Sequence, residues 1–160
     1  MKKIILLLIM VSLAGTAFVP DWRSPVYSPV FISRTTLESS VKFIPGARDM
    51  VQTGKIYYRA PYIYVNERYK GVHVINNTNP AHPIKEGFIL APGCIDMAVK
   101  GNILYLDNAV DLVSFDLNSR EVTSRIRDVF PEPLPPDDFS FFWMDRPEGY
   151  VLVEWKKTNP

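Results

Sequence analysis

Tyr62-Ile63-Tyr64-Val65-Asn66 and Gly71-Val72-His73-Val74-Ile75-Asn76 are answered further along the chain by Ile103-Leu104-Tyr105-Leu106-Asp107 and Asp111-Leu112-Val113-Ser114-Phe115-Asp116. The first pair of runs is offset by 41 residues and the second by 40. The echo sets Tyr64 against Tyr105, Asn66 against Asp107 and Asn76 against Asp116. All four runs are short and rich in β-branched and aromatic residues, which suit a pleated, half-buried surface. A period of about 40 residues made of strands alone is the pattern of propeller blades, in which one repeat is one four-stranded sheet.

Each repeat divides into four strands. In the first they are expected over residues 55–59, 62–66, 71–76 and 84–90; in the second, over residues 96–100, 103–107, 111–117 and 121–127. Gly101-Asn102 is a two-residue hairpin signal between the first two strands of the second repeat. The cluster Asn77-Thr78-Asn79-Pro80-Ala81-His82-Pro83 ends the third strand of the first, because Asn side chains bond nearby amides and proline stops a ladder. The runs alternate only in part, as expected of sheets covered on both faces by their neighbours.

The flanks are less regular. Residues 18–53 read as an extended lead-in with Pro20, Pro25 and Pro29, then a short strand over 30–34 and a run over 41–44 before Pro45-Gly46, together a partial hairpin. Residues 54–130 hold the two repeats. Pro131-Glu132-Pro133-Leu134-Pro135-Pro136 is a stiff spacer of polyproline character. Residues 137–160 read as a terminal hairpin, with Phe139-Ser140-Phe141-Phe142-Trp143 and Tyr150-Val151-Leu152-Val153-Glu154-Trp155 on either side of Arg146-Pro147-Glu148-Gly149. That makes about three blade-equivalents, where a closed propeller takes about four or more. The expected fold is all-β, with β-propeller-like four-stranded blades in an incomplete or open propeller. Unpaired edges and the aromatic residues of the terminal hairpin predict self-association.

The N-terminus carries a targeting signal. Lys2 and Lys3 precede an apolar run from Ile4 to Leu13 broken only by Ser12, and the small residues Ala14, Gly15 and Ala17 follow. This is the layout of a secretory signal peptide over residues 1–17, cleaved after Ala17. The run is too short for a comfortable membrane span, so no stable span is expected after cleavage. The chain is expected to be exported, to the periplasm or the cell surface of a bacterium.

Composition narrows the function. The 160 residues carry 18 basic and 17 acidic side chains. A nucleic-acid binder normally shows a basic patch or stripe, so that class is set aside. The single cysteine, Cys94, cannot form a disulfide within the chain, so stability has to come from burial and sheet pairing.

At Lys100-Gly101-Asn102-Ile103-Leu104-Tyr105-Leu106-Asp107 with Asp111-Leu112-Val113-Ser114-Phe115-Asp116, the sequence resembles the LVIVD-repeat family of bacterial exported, β-propeller-like proteins. The likeness returns at Tyr62-Ile63-Tyr64-Val65, Lys70-Gly71-Val72-His73-Val74-Ile75-Asn76 and Asn79-Pro80, and departs at Ala60-Pro61, where the family has Gly-Asn. It covers about residues 54–128. The resemblance implies the fold, no enzyme activity and no fixed catalytic residues. Family members are usually longer, which implies a piece of a longer propeller.

No catalytic constellation is read from the residues. A zinc site wants several N or S donors at suitable spacing; two histidines, His73 and His82, and one cysteine do not supply it, so no metal and no cofactor is expected. Cys94 has no base placed beside it and reads as an inert buried thiol. Asp96, Asp107, Asp111 and Asp116 fall at strand ends and read as turn formers bonding local amides. Asn76-Asn77-Thr78 matches a glycosylation acceptor, without meaning in a bacterial protein. Among the tyrosines, Tyr64 reads as packing. Tyr69, between Arg68 and Lys70, reads as exposed, and Tyr69, Arg68 and Trp143 are the candidate contacts for a partner. The function expected is a non-catalytic envelope scaffold binding a protein or a glycan. The alternative is a fragment of a longer propeller enzyme or surface protein with no independent activity.

Overall fold

In the computed structural model, residues 26–137 and 140–158 are described, the side chains of Phe142 and Trp143 excepted. The expected signal peptide, residues 1–17, lies outside them. The chain is all-β. Strands β1 (Tyr27–Ser33), β2 (Lys42–Pro45), β3 (Thr53–Arg59), β4 (Tyr62–Glu67), β5 (Gly71–Asn76), β6 (Ile84–Leu90), β7 (Met97–Lys100), β8 (Ile103–Asn108), β9 (Asp111–Asp116), β10 (Glu121–Ile126) and β11 (Tyr150–Lys157) are joined by one short helix, α1 (Arg34–Glu38), and a 3-10 turn (Ser140–Trp143). They form three antiparallel sheets, ordered β2-β6-β5-β4-β3, β10-β9-β8-β7 and β1-β11, and none is closed.

Both repeats fold as four-stranded meanders, at boundaries within two residues of those read from the sequence. Alternating apolar strands and tight turns specify them locally. Gly101 adopts φ +60° between β7 and β8, a conformation that costs glycine little. The one-residue difference between the two offsets also has a place. β4 and β5 are joined by Arg68-Tyr69-Lys70, whereas β8 and β9 are joined by Ala109-Val110 alone.

The two larger sheets pack face to face. Tyr64, Val72, Val74 and Ile89 from the first meet Met97, Val99, Leu104, Leu106, Val113 and Phe115 from the second in one core. The first strands of the two repeats lie over one another, β3 against β7, and at the other edge β10 meets β2, the added strand beside β6. The Tyr57 hydroxyl donates to the Val99 carbonyl at 3.0 Å.

The flanks depart from expectation. Residues 18–53 contain no hairpin among the described ones: β1 pairs with β11 and β2 extends the first sheet beside β6. The expected terminal hairpin over 137–160 is likewise absent. Asp137 accepts from the Ser140 amide at 3.0 Å and from its hydroxyl at 2.6 Å, which curls the chain into the 3-10 turn. β11 then finds its partner at the other end of the sequence. Val151, Val153 and Trp155 are buried, so Trp155 is not among the exposed aromatic residues that the sequence reading expected to drive self-association. The proline spacer is held too, because Trp155 Nε1 donates to the Pro133 carbonyl at 2.8 Å.

The small sheet sits at the β8–β9 turn, where Val151 and Val153 pack with Leu37, Ala109 and Val110. Asp111 pins this corner. It is fully buried and takes Arg34 Nη1 and Arg125 Nη1, each at 2.7 Å, and the Asp128 amide at 3.1 Å. Burial alone would raise its pKa, but the two guanidiniums outweigh it and hold the carboxyl below its ordinary value. Asp111 is thus an ion-pair anchor, not the turn former expected. Asp116 does fill that role, accepting from the amides of Asn118 and Ser119.

Candidate binding groove

Arg68 and Tyr69 occupy the β4–β5 turn. Tyr69 has φ +63°, its amide donates to the Cys94 carbonyl at 2.7 Å, and its carbonyl accepts from the Gly93 amide at 3.0 Å. The turn is therefore fastened to the loop between β6 and β7, and the tyrosine is only 6% exposed. The expectation that its charged neighbours would carry Tyr69 into solvent is overturned. The left-handed backbone turns the ring inward while Arg68 stays outside and folds over it, guanidinium 5.0 Å from the ring centre. The side chain of Trp143 lies outside the described residues.

Both Arg68 and Tyr69 line an open cleft of about 650 Å³, bounded also by Tyr27, Gln52, Asn66 and Trp155. Its floor contains an unmet hydrogen-bond acceptor. Asn66 is 1% exposed. Its amide nitrogen donates to the Gly71 carbonyl at 3.2 Å and reaches Cys94 Sγ at 3.3 Å. Its Oδ1 is buried with no partner. Leaving a buried acceptor unsatisfied costs about 1–3 kcal/mol, so an arrangement of this kind asks for a ligand or water donor. Gly54 keeps the space open, because a Cβ there would stand 2.7 Å from that oxygen. The counterpart Asp107 has no such opening: its Oδ1 accepts from the amides of Ile95 and Asp96, each at 2.9 Å.

Gln52 and Arg68 also line a second cleft of about 440 Å³ on the adjoining surface, so the two make one groove. Here Glu67 and His73 are buried side by side, with Nε2 and Oε2 3.2 Å apart. Glu67 also accepts from the Gln52 amide at 2.5 Å and the Val51 amide at 3.1 Å. Burial works against its charge, but these amides and His73 outweigh it and hold the carboxyl below its ordinary value. Burial also depresses the imidazole pKa of His73, whose ring packs edge-on against Phe88 at 4.8 Å. A saturated carboxylate beside a neutral, sealed imidazole is built to hold the 51–52 backbone in place.

The lining of this second cleft is mixed in charge: Arg48, Arg68, Lys70 and Lys156 stand beside Asp49, Glu67 and Glu154. Lys70 is paired with Glu154 at 2.6 Å, and Arg48 lies over the Phe88 ring at 4.5 Å. Cys94 lies behind Asn66, and burial raises its thiol pKa well above the ordinary value. The thiol there is a packed hydrogen-bond partner. Among the described residues, no group of three or more His, Cys, Asp or Glu is placed to hold a metal ion. No helix among them is long and apolar enough to cross a membrane.

Compared with protein-family models, curated proteins and solved structures, the chain matches none of them. Its own geometry therefore carries the functional reading. Two contributors, Asn66 and Trp155, escape a reading of the sequence. Asn66 recurs as Asp107 and so looks like a turn former, and Trp155 looks like part of a local hairpin. The signal that could have separated Asn66 is the Gly54 opposite it, the one place where β3 withholds a side chain.

Proposed function

We propose that this chain is an exported, non-catalytic repeat scaffold of the bacterial envelope, propeller-like in the stacking of its sheets, that holds a glycan or protein partner in the Asn66–Arg68 groove. The observation that carries this reading is the unmet Asn66 acceptor in a cleft that the Arg68 guanidinium also lines. It calls for a ligand presenting a hydroxyl or N–H donor a few ångströms from an anion. Acidic sugars supply both, and so do acidic peptides. The resemblance to LVIVD repeats supports the scaffold part of the reading, since its strands correspond to β4, β5, β8 and β9. The first and last described strands pair as β1 and β11, which suits a scaffold that must hold its loops still.

Isothermal titration calorimetry against uronic-acid oligosaccharides, their neutral counterparts and acidic peptides tests it. One acidic class should bind, with at least a tenfold loss in Arg68→Ala. Equal affinity of the variant and the parent, or no binding by any of the three classes, would contradict the proposal.

A further inference from the structure

We propose that the chain carries a second binding site, for a single-ring aromatic carboxylate, in a cleft of about 290 Å³ between the two larger sheets at the end opposite the groove. β4 runs from one site to the other. Tyr62 at its start lines this cleft, and Asn66 near its end lines the groove. The two sites have no lining residue in common, so neither rests on the other.

The floor of the cleft is the shared core itself. Val74, Ile89 and Phe115 are buried members of that core, and all three line the cleft. Half-buried Phe43 and Tyr62 wall it. An apolar floor with a few polar groups around it is how small-molecule sites are built, and their volumes run from roughly 300 to 1,000 Å³. This cleft is at the foot of that range, which suits one ring and not an oligomer. An aromatic ring is the flat apolar body that packs most favourably among other aromatic rings.

Charge selects the substituent. The charged residues of the lining are Arg59, Glu86 and Arg120. Arg120 is committed twice: it pairs with Glu86, and its guanidinium carbon lies 4.0 Å from the centre of the Phe43 ring. Arg59 makes no ion pair among the described residues, and its guanidinium stands beside the Tyr64 hydroxyl. Burial raises the pKa of that hydroxyl above its ordinary value, against the pull of Arg59, so the phenol is neutral and leaves the guanidinium unmatched. Two guanidiniums and one carboxylate thus leave one positive charge, which a monoanion balances. A dianion would set its second charge against Glu86. The planar guanidinium fork fits a carboxylate through two parallel hydrogen bonds. The ring therefore lies on the apolar floor, with its carboxylate at Arg59.

Titration of the full chain with benzoate, followed by amide chemical shifts, tests the proposal. Benzoate should bind with a Kd of about 1 mM or tighter. The Asn102 side-chain amide and the Arg59 and Asn118 backbone amides should shift together, with the Asn66 side-chain amide unmoved. Benzamide keeps the ring without the charge, and cyclohexanecarboxylate keeps the charge without the flat ring. Each should bind about tenfold more weakly, and so should benzoate to Arg59→Gln once a thermal melt shows that variant folded. Benzamide or cyclohexanecarboxylate binding as well as benzoate, or the folded variant binding benzoate as well as the parent, would overturn the site. So would shifts centred on Asn66 and Arg68, or no saturating shift with benzoate. The comparison of the three ligands uses the parent chain alone and decides the matter even if Arg59→Gln does not fold. The groove is read with other ligands and other signals, so failure of either proposal leaves the other standing.

Discussion

Tyr64 and Tyr105 hold the same position in consecutive repeats, and only Tyr64 enters the core that the two sheets share. Tyr64 is buried between the sheets, whereas Tyr105 is half-buried on the outer face. Tyr64→Ala should therefore cost about 3 kcal/mol or more, in the range of buried aromatic truncations. Tyr105→Ala should cost under about 1 kcal/mol in a monomer. Urea denaturation of both variants checks the pair, and equal losses would refute the assignment of faces.

Phe115→Ala should cost about 3–5 kcal/mol, as removal of a fully buried ring does. Tyr69→Ala should also destabilise, because its ring is buried against the turn that Gly93 and Cys94 hold. Melting temperatures of the two variants decide this, with both expected to fall.

Asp111→Asn should be among the most damaging single changes. It leaves Arg34 and Arg125 without their shared carboxylate, and breaking a buried ion pair costs about 3–5 kcal/mol. The sign of the acid response follows from the depressed pKa of Asp111. Its contribution is present above the ordinary value of 3.8 and is lost as pH falls through the lower folded value. Acid titration of stability should lose that component in the variant.

His73 contributes in a different window. Burial lowers its folded pKa below 6.5, so the unfolded chain takes up the proton first. Stability is full above pH 6.5 and is lost as pH falls from there through the folded value. In His73→Gln the slope between pH 6.5 and the carboxylate range should flatten. Chemical denaturation at a series of pH values measures it, and an unchanged slope would contradict the sealed imidazole.

The eight strands of the two repeats were legible because each is a short local run rich in β-branched and aromatic residues, bounded by turn signals and repeated about 40 residues on. The pairings of β1 with β11 and of β2 with β6 were not, because nothing near Tyr27 in sequence points to Lys157, its partner in the register. Local reading assigned the last strand to the nearest neighbour instead. The groove failed for a related reason. The charges beside Tyr69 argued for exposure, and only the backbone turn reverses that. The unmet oxygen of Asn66 depends on Gly54 and Cys94 at once, residues that lie on different strands and loops.

Gly54→Ala separates the groove from the fold. The added methyl would stand 2.7 Å from the buried Asn66 Oδ1, so the amide has to shift and stability should fall by about 1–3 kcal/mol with the fold retained. Ligand affinity should fall about tenfold, or about 1.4 kcal/mol. Loss of fold along with affinity would show that the glycine serves packing alone.

The most direct measurement is an amide chemical-shift titration of the full chain with an acidic oligosaccharide and an acidic peptide in separate runs. In the binding run, the Asn66 side-chain amide, the Arg68 guanidinium and the Gln52 backbone amide should shift together and saturate, with Tyr105 and Ser114 on the outer face of the four-stranded sheet unmoved. Saturating shifts that avoid Asn66 and Arg68, or no shift with either ligand, would contradict the account.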